Sequence, residues 1–474
     1  MLKGKTIIEL ENVKTGKKET HVEENMITNA IQNLFSNNVA GMQYNLHGTS
    51  PWQQDSVNIP ICPNAIGGIL LYSEPLEEDA DLFYAPADNL ITGYASNDSH
   101  STENALRGNY NVIESSAIPG GYRLVWEFLT TQGNGTINAL GLTHALGDKS
   151  HLGCLYNDNS LKLAESYGVS IYSSDLDFNE KLPTFYRYAN VVEVNFEENW
   201  YVSIYFDTTN KVVKIFKVAK PLSKMTLATN MKPYSEEVLE ENILTPSTFC
   251  MGSNIAYYAF HDGKDGYWWG FQHYSNSSGN AVIQWIKIDK SDYSFTEGVW
   301  SFESVPMLSV GAFNWYTSSG NATYTYSTIR DGYLYVYNYG RTGLYKININ
   351  NVADISYIPF GFQSRSSNAP LQMYVLNGFV KGPEFVLDAD DNVTRVINTE
   401  VMTNYASRVF QNGVYVYTMG NYYNGYYYCY QYLYLNTPYL ASINNLSEPV
   451  VKTADKTMKI TYILSEIEEN EEQS

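Results

Sequence analysis

Twice in the second half of the chain an Asp-Gly or Asn-Gly pair opens a run in which aromatic and aliphatic residues alternate. One is Asp331-Gly332-Tyr333-Leu334-Tyr335-Val336-Tyr337, the other Asn412-Gly413-Val414-Tyr415-Val416-Tyr417. Asn-Gly and Asp-Gly favour the positive backbone angles of a tight hairpin turn, and the alternation after them is the period of a strand. Similar runs recur at Trp200-Tyr201-Val202-Ser203-Ile204-Tyr205-Phe206, Lys211-Val212-Val213-Lys214-Ile215-Phe216, Leu344-Tyr345-Lys346-Ile347-Asn348-Ile349 and Met373-Tyr374-Val375-Leu376. Turn, aromatic strand, Gly/Asn turn, second strand: the unit excludes a helical fold for the middle of the chain. Blades of a β-propeller recur at about 40–45 residues, and Asp331-Gly332 lies two such periods before Asn412-Gly413. The earlier Asp265-Gly266-Tyr267-Trp268-Trp269 is out of step by a non-integral interval. A second sandwich or an irregular β-domain would also accommodate the pattern.

The flanks have another texture. Thr6–Val22 reads as a hairpin with its turn at Asn12–Lys17. Met26, Ala30 and Leu34, with Ile27, Ile31 and Phe35 beside them, give one apolar face of a short helix over Asn25–Phe35. Ile66-Gly67-Gly68-Ile69-Leu70-Leu71-Tyr72 is apolar throughout, as for a strand buried on both faces. Tyr122–Phe128 alternates, Gly133-Asn134-Gly135 turns, and Thr136–His144 is a further strand. Met458–Leu464 is a clear strand near the end, and it is expected to return to the N-terminal sheet. The chain is therefore read as mainly β. A β-sandwich module of residues 1–154 and 446–474 carries an inserted, propeller-like β-domain over 155–445, as close termini permit. At 474 residues, at least two cores are expected.

A net charge of −20 repels phosphate backbones, so no nucleic-acid partner is expected. Part of that charge sits in the solvated tail Glu466–Glu472. No segment approaches the ~20 apolar residues of a membrane span, and Met1–Glu9 lacks the apolar core of a signal peptide, so synthesis in a cytoplasm without membrane insertion is expected. Cys62, Cys154, Cys250 and Cys429 are scattered, which suggests no zinc site.

Asp388, Asp390 and Asn392 imitate the opening of a calcium loop, but Val393 stands where that loop needs Gly. A hairpin turn between Phe385-Val386-Leu387 and Val393-Thr394-Arg395-Val396 explains the same residues. Of the histidines His21, His47, His100, His144, His151, His261 and His273, only His144 and His151 are close. They read as a surface pair. No catalytic motif, metal site or cofactor is expected. Asp262, Asp265, Glu297 and Asp331 are carboxylates from which a glycosidase pair could be drawn. Tyr267, Trp268 and Trp269, and Tyr422, Tyr423, Tyr426 and Tyr427 in a Tyr/Asn/Gly tract, form the candidate ligand surface. Consecutive aromatics on a strand point to opposite faces, so half of each cluster is expected at an exposed rim.

Several stretches resemble a family of tail-associated structural proteins (tail fibre, baseplate or receptor-binding) of bacteriophages infecting Gram-positive bacteria. They are Glu24–Ala30, Trp126–Asn138 leading to Leu142-Thr143-His144, and Lys452–Tyr462, with Gly67–Leu71 and Arg107–Tyr110 in support. The resemblance covers the first 150 residues and the last 25 or so. It implies a non-catalytic virion tail component, present in multiple copies, assembled in the host cytoplasm and contributing to host-surface recognition. Its partners would be other tail or baseplate proteins and a host cell-surface glycan or protein. A tail-borne glycan-degrading enzyme and a purely architectural virion, baseplate or decoration protein are the alternatives.

Overall fold

The computed structural model describes residues 2–36, 43–45, 56–58, 66–86, 89–95, 104–144, 160–167, 171–172, 190–198, 200–207, 209–219, 237–249, 258–273, 276, 279–317, 320–364, 372–395, 408–423, 426–436 and 439–466. Two compact units emerge. One comprises Met1–Ala164, Gly413–Tyr415 and Tyr434–Ser474, the other Glu165–Asn412 and Val416–Leu433.

The first unit begins with the hairpin β1 (Leu2–Asn12) and β2 (Lys18–Ile27) and the helix α1 (Asn29–Ser36). After a short pair, β3 (Gln43–Asn45) and β4 (Ser56–Asn58), come β5 (Gly68–Tyr72), β6 (Ile91–Ala95), β7 (Asn109–Tyr110), β8 (Ser116–Ile118), β9 (Gly121–Phe128) and β10 (Gly135–Thr143). The chain's last strands, β34 (Ser442–Lys452) and β35 (Lys456–Glu466), complete a ten-stranded sheet in the order β6-β5-β10-β34-β2-β1-β35-β9-β7, with β8 on β9. The closing strand thus lies between β1 and β9. Its alternate residues form rows across three strands: Leu10, Met458 and Phe128; Ile8, Ile460 and Trp126; Thr6, Tyr462 and Leu124. All nine are buried. The opposite face is charged, with Glu9, Lys459 and Glu127 in one row. A one-residue slip would exchange the two faces, so burial fixes the register.

Strand β2 joins the two halves of this sheet. It pairs with β1 along its length, and its last residues, Met26 and Ile27, pair with Ile443 and Ser442 of β34. This corrects the helix expected over Asn25–Phe35, which starts only at Asn29. Thr28 breaks the strand: its N–H and Oγ1 donate to the carbonyls of Ala441 and Leu440. β5 is buried on both faces. Leu142 of β10 pairs with Ser442 of β34, so the chain leaves the sheet after β10 and re-enters it beside the same point. The intervening domain is an insertion in the sheet's connectivity.

Lys452, 1% exposed, holds the turn between β9 and β10. Its Nζ donates to Leu129 O at 2.8 Å and Asn134 Oδ1 at 2.9 Å. Burial pushes this amine down to about 8. Between that value and the ordinary lysine value of about 10.4, the unfolded chain holds a proton that the folded chain does not. The contribution of Lys452 therefore makes stability rise with pH across this window. An NMR titration of the Lys452 side chain should show a midpoint near 8. A midpoint above 10 would refute this picture of the site.

The inserted unit is a β-propeller. Before it come β11 (Ser160–Tyr167) and β12 (Ile171–Tyr172). The first blade is β13 (Val191–Asn195), β14 (Trp200–Asp207), β15 (Val212–Ala219) and β16 (Glu237–Leu244). The second is β17 (Tyr258–Asp262), β18 (Tyr267–Gln272), β19 (Ala281–Asp289) and β20 (Phe295–Phe302). A hairpin, β21 (Ala312–Thr317) and β22 (Gly320–Thr325), then intervenes. The third blade is β23 (Ser327–Arg330), β24 (Tyr333–Tyr337), β25 (Gly343–Asn348) and β26 (Ile355–Pro359). The fourth is β27 (Tyr374–Leu376), β28 (Phe379–Lys381), β29 (Phe385–Leu387) and β30 (Val393–Arg395). Strands β31 (Arg408–Asn412), β32 (Tyr415–Tyr423) and β33 (Tyr426–Asn436) follow. They belong to a seven-stranded sheet ordered β11-β33-β32-β22-β21, with β12 on β33 and β31 on β32.

Each blade is a consecutive antiparallel meander. The innermost strands close a ring: β13 lies against β17, β17 against β23, β23 against β27, β27 against β31, and β31 against β13. Four blades have four strands each, and β31 takes a fifth place in the ring. The hairpin β21–β22 explains the interval that put Asp265-Gly266 out of step. After the second blade the chain detours into the seven-stranded sheet, where Asn321 and Ala322 pair with Tyr423 and Tyr422, before starting the third. The turn from first to second strand does recur. Asp331 and Gly332 have φ of 52° and 77°, Asn377 and Gly378 of 54° and 77°, matching the positive angles such hairpins require.

Between blades lie continuous apolar layers. Val202, Ile204 and Ile215 of the first blade meet Phe260, Trp268 and Ile286 of the second. Trp269, Phe271 and Ile283 of the second meet Leu334, Val336 and Ile347 of the third. Tyr335, Tyr337 and Leu344 of the third meet Val380, Phe385 and Leu387 of the fourth. Among the described residues, no helix is long and apolar enough to cross a membrane.

Candidate functional site

The ring of innermost strands defines the site. Among the described residues, each pairs with a second strand on one side only: β13 with β14, β17 with β18, β23 with β24, β27 with β28 and β31 with β32. The other edge of each carries backbone N–H and C=O groups that no strand ladder takes up. A cavity of about 300 Å³ lies within the ring, lined by all five strands.

Its wall contains several buried polar side chains. Gln372, 3% exposed, precedes β27, and among the described residues neither its amide oxygen nor its amide nitrogen has a hydrogen-bond partner. Thr325, 2% exposed, precedes β23, and its hydroxyl likewise has no partner among the described residues. The two are adjacent through the backbone, because Met373 N donates to Thr325 O at 2.9 Å. Ser327 Oγ donates to Val310 O at 2.6 Å and lies 2.9 Å from His261 Nε2. With its proton committed, the hydroxyl accepts from His261, which fixes the Nε2–H tautomer. Burial, assisted by the charge of Arg408, holds His261 well below the ordinary histidine range, so it is neutral. Arg408 also lines the cavity, and burial brings its guanidinium down to about 10, still a cation at neutral pH.

A charged cluster borders this wall. Lys290 Nζ lies 2.7 Å from Glu193 Oε2 and 2.8 Å from Asp262 Oδ1, and Lys264 Nζ lies 2.8 Å from Asp262 Oδ2. Trp268 Nε1 donates to Glu193 Oε2 at 2.8 Å. Burial works to raise the Asp262 carboxyl, but Lys264 and Lys290 overcome it and hold the group below the usual carboxylate range.

Of the four candidate glycosidase carboxylates, only Asp262 lines the cavity. Glu297 caps the loop before the second blade. Its oxygens accept from Ser247 N at 2.7 Å, Ser247 Oγ at 2.6 Å, and Thr248 N and Phe249 N at 2.8 Å each. Asp265 accepts from Tyr267 N and Trp269 Nε1, both at 3.2 Å. The Asp331 side chain is 88% exposed.

The expected exposed rim is corrected for the Tyr267, Trp268 and Trp269 cluster. Trp268 and Trp269 are each 3% exposed, and Tyr267 is half-buried with Lys287 Nζ 3.9 Å from its ring centre. They do point to opposite faces, but both faces of a blade are covered by neighbouring blades, so both tryptophans enter cores. Tyr422 and Tyr423 end β32, and Tyr426 and Tyr427 begin β33, where they pair with Tyr172 and Ile171. Their side chains lie outside the described residues.

The loop Asp388–Asn392 is a hairpin turn, with Leu387 paired to Val393. Asp388 Oδ1 accepts from the backbone N–H of Asp390 and Asn392. His144 is 3% exposed, against its expected place in a surface pair; it packs edge-on to Tyr439, and burial lowers it to about 4. His47, His100, His151, Cys62, Cys154 and Cys250 lie outside the described residues. Sequence does not single out Gln372, Thr325, Ser327 or Arg408. Their signal, a polar residue next to a strand start, is shared by every turn in the chain.

No family model and no curated protein matches the chain. Among solved structures, a quinonprotein alcohol dehydrogenase-like protein from Bacteroides thetaiotaomicron is 13% identical. That match covers 79% of this chain and 78% of the other, with a TM-score of 0.24. The WD40 domain of SCAP from fission yeast is 9% identical over 64% of this chain and 98% of that domain, with a TM-score of 0.14. At such scores neither superposition bears on fold or function; the propeller assignment stands on the blade topology and the closed ring.

Proposed function

We propose that the chain is a non-catalytic binding protein of a phage virion tail, whose propeller contributes to recognition of a Gram-positive host surface. The observation that carries the binding role is the chemistry of the cavity. It offers unpartnered neutral hydrogen-bonding groups, while its carboxylates are held by lysines. The placement in a tail rests on the resemblance of the flanking stretches. In support, those stretches, far apart in sequence, meet in one sheet. Trp126 pairs with Ile460 and Tyr110, its Nε1 donates to Gly67 O at 3.0 Å, and Lys452 binds Leu129 and Asn134. An insertion at the β10–β34 junction suits a fixed module carrying a variable one. Many copies on a particle would turn weak single contacts into firm attachment.

The full-length chain, fluorescently labelled and multimerised on streptavidin, should decorate cells of at least one species in a Gram-positive panel. Soluble wall glycan from that species should compete, and no reducing ends should be released. Failure to decorate any species would remove the recognition role. Decoration with release of reducing ends would replace it with glycan hydrolysis.

A further inference from the structure

We propose that the central cavity of the propeller binds one uncharged, polyhydroxylated molecule of monosaccharide size, held by the Gln372 amide, the Thr325 hydroxyl and the open backbone edges of the inner strands. This deepens the recognition role proposed above and rests on the propeller being the recognising part.

Three observations converge on that class of ligand. The first is the pair of unmet side chains. A buried amide with neither atom bonded and a buried hydroxyl beside it are costly to leave dry, and such groups are found bonded in the great majority of proteins. Gln372 presents a donor and an acceptor together, and a hydroxyl answers both because it can donate and accept. The second is the wall itself. Five strand edges turned towards one space give alternating donors and acceptors without net charge, the arrangement that a ring of hydroxyls can satisfy at several points. The third is the state of the charges. Glu193 and Asp262 are taken up by Lys264 and Lys290, so neither carboxylate is left to hold a cation, and neutral donors and acceptors carry the recognition. A space of about 300 Å³ lies at the small end of the ~300–1,000 Å³ typical of small-molecule sites, which suits a single sugar ring and excludes a glycan chain along the cavity.

The same sugar could arrive free or as the terminal residue of a wall glycan, and the test separates the two. Full-length protein would be titrated calorimetrically with glucose, galactose, N-acetylglucosamine and glucuronate, and with short glycan fragments ending in each. One neutral sugar is expected to bind with 1:1 stoichiometry. A terminal-residue source predicts that the fragment binds at least as well as the free sugar, a free-sugar source that the fragment is excluded. Gln372→Leu and Thr325→Val should each weaken binding about tenfold, the order expected for a lost buried hydrogen bond. Both variants should keep or raise the hydrogen-exchange protection of the third- and fourth-blade amides in the unliganded chain, because the atoms removed have no partner among the described residues. A purely structural role would lower that protection.

Absence of binding by every sugar would overturn the proposal and leave a water-filled cavity. Binding of glucuronate alone, unchanged affinity in both variants, or lowered exchange protection of the blades in both would overturn it as well. If the variants lose sugar binding and still decorate cells, the cavity is not the recognition site, although the recognition role itself survives. If wild type binds sugar but decorates no cells, the cavity assignment stands without that role.

Discussion

Replacing Asp391 with Ala should lower the unfolding free energy of the propeller by about 3–5 kcal/mol, the cost of leaving a buried cation without its counter-charge. The Asp391 carboxylate sits between Arg330, Lys346 and Tyr335: Arg330 Nη2 and Tyr335 OH donate to Oδ1, and Lys346 Nζ donates to Oδ2. Only 4% of the Arg330 side chain is exposed. Its Nη1 donates to Asp388 O at 2.6 Å and Gly378 O at 3.2 Å, so it ties the third blade to two turns of the fourth. Removing the carboxylate strands this guanidinium inside the fold. Replacing Arg330 as well, Arg330→Met with Asp391→Ala, should cost less than Asp391→Ala alone, because the buried guanidinium is gone and Lys346, 24% exposed, keeps contact with water. Asp331→Ala is the control. Asp331 and Asp391 both have positive φ, 52° and 65°, so Ala carries the same backbone cost at each; the Asp331 carboxylate is 3.8 Å from Arg330 but 88% exposed, so its own loss should add no more than about 1 kcal/mol. Because the chain has two units, the measurement should be hydrogen exchange of amides in the third and fourth blades, not a single global midpoint. Equal effects of Asp391→Ala and Asp331→Ala would refute the argument.

Much of the architecture is legible in the sequence because strands announce themselves by alternation and their turns by Gly. Trp200–Phe206, Tyr333–Tyr337 and Met458–Leu464 all fall on strands. The closing strand can be assigned to the first sheet because its texture matches the N-terminal flank. Sequence does not show that β31 completes the ring, since that place is defined by neighbours far away in the chain. Nor does it show that β21–β22 leaves the propeller's succession and joins another sheet, which is why the blade period looks broken.

The misreading of Trp268-Trp269 has a specific cause. Alternation implies one buried face and one wet face only in a sheet with a single cover. In a propeller each blade is sandwiched between two others, so both registers of a strand are apolar and exposure does not follow. The same geometry hides the cavity. What lines it is strand edges and residues at strand starts, such as Gln372 and Thr325, and no periodicity marks those. The sequence pattern starts helix α1 too early because Met26 and Ile27 fit a helical face equally well, and only their pairing with Ile443 and Ser442 decides for a strand.

Trp126→Ala should be the most damaging single truncation in the sheet unit, at about 3–5 kcal/mol. Trp126 is fully buried between Ile460 and Tyr110 in the row that begins at Ile8, and its ring lies 6.2 Å from that of Tyr110. Truncation opens a cavity where three strands meet and cannot be filled by a sliding backbone, because Ile8, Leu10, Met458 and Phe128 on either side are locked in the same register. It also strands the carbonyl of Gly67, which accepts from Trp126 Nε1 at 3.0 Å. Trp126→Phe separates these two costs. It keeps most of the apolar area and loses the hydrogen bond, so it should cost about 1–3 kcal/mol, the range for an orphaned buried acceptor. Chemical denaturation followed by exchange of the β9 and β35 amides would read both. If Phe and Ala were equally damaging, the hydrogen bond to Gly67 would matter more than the packing of the ring. If neither lowered stability, the row could not be the core of this sheet.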